Sequence, residues 1–208
     1  VKRQILIATT NRGKAAELAA MLEGLGVEWM SLGDYPDIPE VVEDGETFAE
    51  NARKKACDYA RATGLWTVAD DSGLVIDVLD GAPGIKSARF SGEKEDGADR
   101  QLLDHRNMAK VLRLMNNVPD DKRTARFVCC VCLASPAGVL AETSGTLEGR
   151  ICKQETGENG FGYDPIFLLE EMRRTAAQLT ADEKNTLSHR FKAIDKLRVL
   201  LPGLLKDR

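Results

Sequence analysis

The stretch WTVADDSGLVID, Trp66–Asp77, limits the folding of this chain more than any other. Two adjacent carboxylates, Asp70 and Asp71, stand between apolar runs. Leu65, Val68 and Ala69 precede them, and Leu74, Val75, Ile76 and Val78 follow. Both runs read as buried strands, which predicts a strand pair around the acids. An uncompensated charge in such a place is costly, so something must balance it. A bound cation is one answer. Mg²⁺ prefers carboxylates, waters and substrate phosphate oxygens, and one of the acids could then orient or deprotonate a water. The plainer alternative is an acidic turn joining two strands.

Composition narrows the rest. The 208 residues are enough for one large domain or two small lobes, and they are read as a single domain spanning 1–208 with two lobes. A net charge of −4 argues against a dedicated DNA or RNA binder, while leaving a small anionic ligand open. Lys2 and Arg3 precede only the short run Ile5–Ala8, too brief for an export signal, and no apolar run approaches a membrane span. In RFVCCVCLA, read as a strand, Cys130 and Cys132 share one face and Cys129 takes the other. These three, with Cys57 and Cys152, read as plain buried thiols acting as small hydrophobes. A reducing cytoplasm is the expected compartment.

Periodicity supplies a coarse order of elements. QILIAT (Gln4–Thr9) reads as a first strand, followed by a helix with Ala15, Leu18, Ala19 and Leu22 on one face, ending near Gly24–Gly26. VEWMSL (Val27–Leu32) is a second strand. Thr47 and Glu50 form a capping box for a helix over Phe48–Ala62, closed by Gly64. Residues Glu93–Asn117 are charged and polar and read as an insertion or exposed helical lobe, helical from about Asp99. A long hairpin follows, TARFVCCVCLAS and VLAETSGTLEGRICKQE, with Gly145 and Gly149 expected to mark bends or bulges. Thr180 and Glu183 form another capping box, and Leu187, Phe191, Ile194, Leu197 and Leu201 make an apolar stripe in the last helical region. Strands and helices mix, with both crossover and hairpin connections, so the class is α/β with a mixed sheet.

Five stretches could carry chemistry. TTNRGK (Thr9, Thr10, Asn11, Arg12, Gly13, Lys14) lies between the first strand and helix, where free N–H groups and a lysine suit phosphate. It is not a Walker A loop, and it reads equally as a polar turn with an N-cap. Asp70-Asp71-Ser72-Gly73 is the second. The third offers Glu43 as a further metal ligand, with Asn51 and Lys55 one and two turns into the next helix. The fourth is FGYD (Phe161, Gly162, Tyr163, Asp164), where an aromatic beside a carboxylate suits a purine. The fifth is EKNTLSHR. On one unbroken helix Lys184, His189 and Arg190 would point apart, so they converge only if the helix breaks near Ser188, which would then cap a new one.

In this order the five pieces resemble the inosine/xanthosine triphosphate pyrophosphatase family, from ILIATTNRGK through EDGETFAENA, ADDSGL, GAPGIKSARFSG and GFGYDPIF to LTADEKNTLSHR. The resemblance covers essentially the whole chain. It implies Mg²⁺-dependent hydrolysis of non-standard purine nucleoside triphosphates (ITP, dITP, XTP) to the monophosphate and pyrophosphate. It implies a two-lobed α/β fold around a long mixed sheet, an active site in the cleft between lobes, and a homodimer. By the same resemblance Thr9–Lys14 bind phosphates, Asp71 is general base and Mg²⁺ ligand, and Ser72 contacts substrate. Glu43 matches the metal-binding acid, Asn51 and Lys55 match phosphate-side positions, and Phe161–Asp164, Lys184, His189 and Arg190 hold the nucleotide, chiefly its base. Two features depart from the pattern. Glu158-Asn159 replaces a more glycine-rich run, and Glu93–Asn107 is longer than usual, its His105 having no assigned role. The competing readings are a non-catalytic nucleotide sensor, a phosphatase with an aspartyl nucleophile, and a pyrophosphatase for modified pyrimidine nucleotides. Pyrophosphate or orthophosphate as product, and a substrate panel, separate them.

Overall fold

The computed structural model describes residues 2–92 and 100–206. In chain order the elements are β1 (Gln4–Ile7), α1 (Arg12–Met21), β2 (Glu28–Ser31), α2 (Phe48–Thr63), β3 (Trp66–Ile76) and α3 (Arg100–Leu114). There follow β4 (Thr124–Ser135), β5 (Gly138–Ile151), β6 (Phe167–Leu169), β7 (Arg174–Thr175), α4 (Ala181–Leu187) and α5 (His189–Lys206). The strands are ordered β2-β1-β3-β4-β5-β6-β7. β1 runs parallel to β2 and β3, and β6 antiparallel to β5 and β7, which makes the sheet mixed, as expected for this α/β chain.

The chain forms two compact units. The first comprises Val1–Ser72, Cys129–Gly145 and Ser188–Arg208; the second Gly73–Val128 and Thr146–Leu187. Strand alternation builds the first unit in three layers. Ile5 and Ile7 of β1, Val68 of β3, and Cys129, Val131 and Leu133 of β4 pack against Leu18 of α1 and Ala193, Ile194 and Leu197 of α5. Their neighbours Leu6, Ala69, Cys132 and Ala134 pack on the other face against Ala52, Ala56 and Tyr59 of α2. Cys129 and Cys132 therefore lie on opposite faces, as the alternation predicts, and all five thiols are free. Burial pushes the Cys132 thiol up to about 12, so it stays a protonated apolar group at neutral pH.

The second unit has its own core, in which Leu74 and Ile76 of β3, Met108 and Val111 of α3, Phe127, Tyr163 and Phe167 pack together. α3 is thus an amphipathic helix with one face in this core, and the expectation of an exposed lobe is corrected for Arg100–Leu114. Residues 93–99 of that stretch lie outside the described residues, and Met115 after the helix is buried in the same core.

Local signals place most helix ends. Thr47 accepts from the Glu50 N–H, the Glu50 carboxylate answers at Thr47, and Gly64 closes α2 in the left-handed region. The last helical region breaks where expected: Ser188 Oγ accepts from Phe191 N at 3.0 Å, starting α5 anew. Ser188→Ala is expected to cost about 1 kcal/mol, lowering Tm by roughly 2–4 °C for a chain of this size, read by thermal unfolding. Leu187 precedes the break and is exposed, so the apolar stripe begins after it.

One expectation is corrected. Asp70 and Asp71 do not join two strands; both lie inside the single eleven-residue β3. β5 runs on through Gly145 and Gly149. A Cβ at Gly145 would collide with the His189 carbonyl, and one at Gly149 would stand 2.5 Å from the Leu168 carbonyl. These glycines admit a close backbone neighbour.

Candidate active site

Because β3 is continuous through Asp70 and Asp71, the two carboxylates face opposite sides of the sheet. Asp70 points to the α1/α5 side. Its Oδ2 lies 3.1 Å from Lys14 Nζ and 3.4 Å from Arg190 Nε, and accepts from the Ser72 hydroxyl at 3.2 Å. Arg190 spans the cluster, donating to Ser72 Oγ at 3.0 Å and pairing with Glu17 of α1. Cys129 Sγ is 3.9 Å from Asp70 Oδ2. Burial alone would raise the Asp70 pKa, but Lys14, Arg190 and Lys55 overcome it and hold the carboxyl far below the usual range. The protein's own cations therefore balance the charge on Asp70.

Asp71 points to the α2 side. Its Oδ2 accepts from Asn51 Nδ2 at 3.1 Å and its Oδ1 from Ser72 N at 3.0 Å. Asn51 is fully buried, and its Oδ1 accepts from Gly45 N at 2.8 Å, which ties the loop before α2 to the carboxylate. One turn on, Lys55 Nζ stands 2.5 Å from Glu43 Oε1 and 4.0 Å from Asp71 Oδ1. Burial lowers the Lys55 pKa, yet Asp70, Glu43 and Asp71 together raise it, so it remains a cation. For Asp71 the balance falls the other way. Burial raises its pKa and outweighs the opposing Lys55 and Lys14.

The strand-to-helix turn is built around Asn11, whose Oδ1 accepts from Lys14 N at 3.1 Å as the N-cap of α1. Thr9 Oγ1 accepts from Asn11 N at 3.2 Å, and Thr10 Oγ1 reaches Glu40 at 3.5 Å. Arg12 and Gly13 are the first two residues of the helix. The N-cap reading of this turn holds, and the helix N-terminus also remains a fitting phosphate site.

The available donors for a metal are hard oxygens. Glu43 and Asp71 both face the Lys55 ammonium, and Asp70 Oδ1 is buried with no hydrogen-bond partner. Such oxygens fit Mg²⁺, which leaves several positions to water and phosphate. Among the described residues no three His, Cys, Asp or Glu side chains gather where they could hold one metal ion, so the protein would supply a pair of carboxylates at most.

In the second unit, Lys184 Nζ lies 2.6 Å from Asp164 Oδ2 and 4.4 Å from the Phe161 ring centroid. Asp164 is buried and its Oδ2 also accepts from Phe161 N at 2.9 Å. The Tyr163 hydroxyl donates to Ser87 O at 2.8 Å, and Gly162 N donates to Asp104 Oδ2 at 2.8 Å. The loop thus presents an aromatic face beside a lysine–carboxylate pair. Of the fifth stretch, Lys184 joins this set, Arg190 joins Asp70 in the first unit, and His189 is buried at the start of α5.

Sequence reasoning passed over Glu17, Cys129 and Asp104 as members of these clusters. Glu17 sits three residues after Lys14 on α1, and helical spacing alone would put both on one face. Asp104 lacked any such signal, because its partner is a backbone N–H 58 residues away.

The chain matches the Ham1 family over residues 5–200. It is 47% identical over 202 residues to a dITP/XTP pyrophosphatase of Bacillus cereus, covering 96% of this chain and 95% of that one. It is 48% identical over 195 residues to a dITP/XTP pyrophosphatase of Geobacter sulfurreducens, covering 94% of each. Among solved structures, a HAM1 protein from Coxiella burnetii superposes with a TM-score of 0.85 at 37% identity, over 97% of this chain and 99% of that one. A nucleoside-triphosphatase / dITP/XTP pyrophosphatase from Mycobacterium abscessus gives 0.75 at 44% identity, over 93% and 98%. With a family match along nearly its whole length and relatives close to half identical, the chain belongs to the Ham1 family.

Proposed function

We propose that this chain hydrolyses the non-standard purine nucleoside triphosphates ITP, dITP and XTP to the monophosphate and pyrophosphate, removing them from the nucleotide pool. The observation that carries the reading is Asp71. It is a buried carboxylate with a raised pKa, aimed by Asn51 and flanked by the Lys55 cation. The names of the relatives supply the substrate class.

In this reading Asp71 takes a proton from a water whose oxygen attacks the α-phosphorus. The new O–P bond forms as the bridge to the β-phosphate breaks, and pyrophosphate leaves. Lys14, Lys55 and the N–H groups at the start of α1 hold phosphate oxygens, with Thr9, Thr10, Asn11, Arg12 and Gly13 shaping that turn. Glu43 and Asp71, which meet at Lys55 on the α2 side, would hold Mg²⁺ together with water and phosphate oxygens, and the ion when bound supplies charge neutralisation at the phosphates; Asp70, turned to the other face of the sheet, stays outside that set. Arg190 and Ser72 brace Asp70. Phe161 stacks on the purine, and Lys184, with loop N–H groups, donates to its 6-oxo oxygen. Adenine presents an amino group there, which would leave those donors unmet, a costly state in a buried site.

Pyrophosphate release across a panel of ITP, dITP, XTP, ATP, GTP and a modified pyrimidine triphosphate tests this, with and without Mg²⁺. Release from the first three is expected, abolished by EDTA and restored by Mg²⁺, with ATP slower by roughly a hundredfold or more. Equal turnover of ATP and ITP, or orthophosphate as the product, would overturn it. The resemblance also supports a cytoplasmic homodimer, which light scattering of the purified chain tests. No helix among the described residues is long and apolar enough to cross a membrane.

A further inference from the structure

We infer that Asp104, on α3, is a positioning residue that clamps the base-recognition loop. The inference rests on the functional reading above and adds to it a residue of α3.

The loop is hard to hold. Gly157, Gly160 and Gly162 all have positive φ, Gly162 at +64°. Glycines in that region carry large backbone freedom, so a glycine-rich loop is ordered only by what it is tied to. Most of its ties run to the segment after it. Thr156 N donates to Pro165 O at 2.9 Å, Asn159 N to Ala177 O at 3.0 Å, and Asn159 Nδ2 to Leu179 O at 3.0 Å. Phe161 N is taken by Asp164 itself. Gly162 N, between the aromatic and Tyr163, is held from outside, by Asp104 Oδ2 at 2.8 Å. The second turn of α3 therefore reaches the residue next to Phe161.

The carboxylate is well placed for the task. Its side chain is 13% exposed, and its other oxygen lies 3.4 Å from Arg100 Nε one turn earlier on α3. The adjacent His105 places Nδ1 3.1 Å from Glu155 Oε2, so α3 meets the loop near its beginning as well. α3 is anchored in turn by Leu103, Met108 and Val111, all buried. A rigid helix thus fixes the backbone on which Phe161 is mounted. Loosening it lowers the fraction of molecules with the ring ready to stack, and apparent affinity falls by that fraction.

Three substitutions separate the clamp from a merely structural ion pair. Asp104→Asn keeps an acceptor oxygen at the same reach and drops the charge. Asp104→Glu keeps the charge for Arg100 and moves the acceptor by one methylene. Asp104→Ala removes both. With pyrophosphate release from ITP as readout, Asp104→Asn is expected to keep KM within about twofold, while Asp104→Glu and Asp104→Ala raise it roughly tenfold with kcat little changed. A stabilising pair with Arg100 predicts the reverse order, glutamate tolerated and asparagine harmful, and that result overturns the inference. So does an unchanged KM in all three. If Asp104→Ala fails to fold, the Asn and Glu variants still decide. Amide exchange at Gly162 reads the clamp without turnover, and should be faster in Asp104→Glu than in Asp104→Asn; equal rates overturn the inference. A wild-type protein releasing no pyrophosphate from ITP overturns the functional reading, whatever the exchange shows.

Discussion

Asp71→Asn is expected to lower turnover of ITP by about two to four orders of magnitude, the range set by loss of a positioned general base. The fold should survive the change. Asn51 and Ser72 N both donate to the present carboxylate, and an amide oxygen can still accept from one of them. The charge itself is a burden. Burial raises the Asp71 pKa, with Lys55 and Lys14 opposing, so the folded state binds that proton more tightly than the unfolded chain does. The stability linked to it is full below the ordinary carboxylate range and is lost as pH rises through the raised folded value. Asparagine carries no such cost. Thermal unfolding at neutral pH should therefore place the variant within about 3 °C of the wild type. A variant with near wild-type turnover would remove Asp71 from its role. One that is inactive and also unfolded would assign it to the core instead.

Arg190→Met should have the largest effect on stability. Arg190 is 2% exposed and braces Asp70, Glu17 and Ser72. Methionine fills much of the volume but leaves Asp70, itself 1% exposed, with Lys14 as its nearest cation. Removing one member of a buried ion cluster costs about 3 kcal/mol or more, since the charge left behind is poorly compensated. For this chain length that lowers Tm by roughly 6–12 °C. Arg190→Lys keeps the charge but cannot reproduce the fork that meets three partners, so it should fall between the two. The effect should also depend on pH. Burial would raise the Asp70 pKa, but Lys14, Arg190 and Lys55 depress it, so its stabilisation is present above the unfolded carboxylate value of about 4 and is lost as pH falls toward the depressed folded value. The gap in Tm between wild type and Arg190→Met should therefore narrow as the solution is acidified below that range. A gap independent of pH would mean that lost packing, and not the charge on Asp70, sets the cost.

Much of the architecture was legible because its signals are local. A capping box needs only Thr47 and Glu50 three residues apart, and strand alternation needs only neighbours, so α2 and the opposed faces of Cys129 and Cys132 follow directly. Asn51 and Lys55 share a helix face by their spacing, and the structure brings both to Asp71. The break at Ser188 follows from the condition that Lys184, His189 and Arg190 can converge only if the helix is interrupted, and from a serine placed to cap a new one. What failed were inferences about tertiary neighbours. Two adjacent charges inside a buried strand look prohibitive until their partners are known, so the acids at 70 and 71 read as lying between two strands and not within one. That Gly145 and Gly149 admit the carbonyls of His189 and Leu168 is likewise invisible in the sequence, because those neighbours lie far along the chain.

The amino-acid order alone determined the α/β class, the capped start and glycine stop of α2, and the family, since each depends on spacing within a few residues or on ordered motifs. It also determined that Asp70 and Asp71, once inside a strand, must point to opposite faces. Only the tertiary structure decided what meets them there: Arg190, 120 residues from Asp70, on one side and α2 on the other. Charge compensation acts through space over a few ångströms, and nothing in linear order says which distant cation will be within that reach.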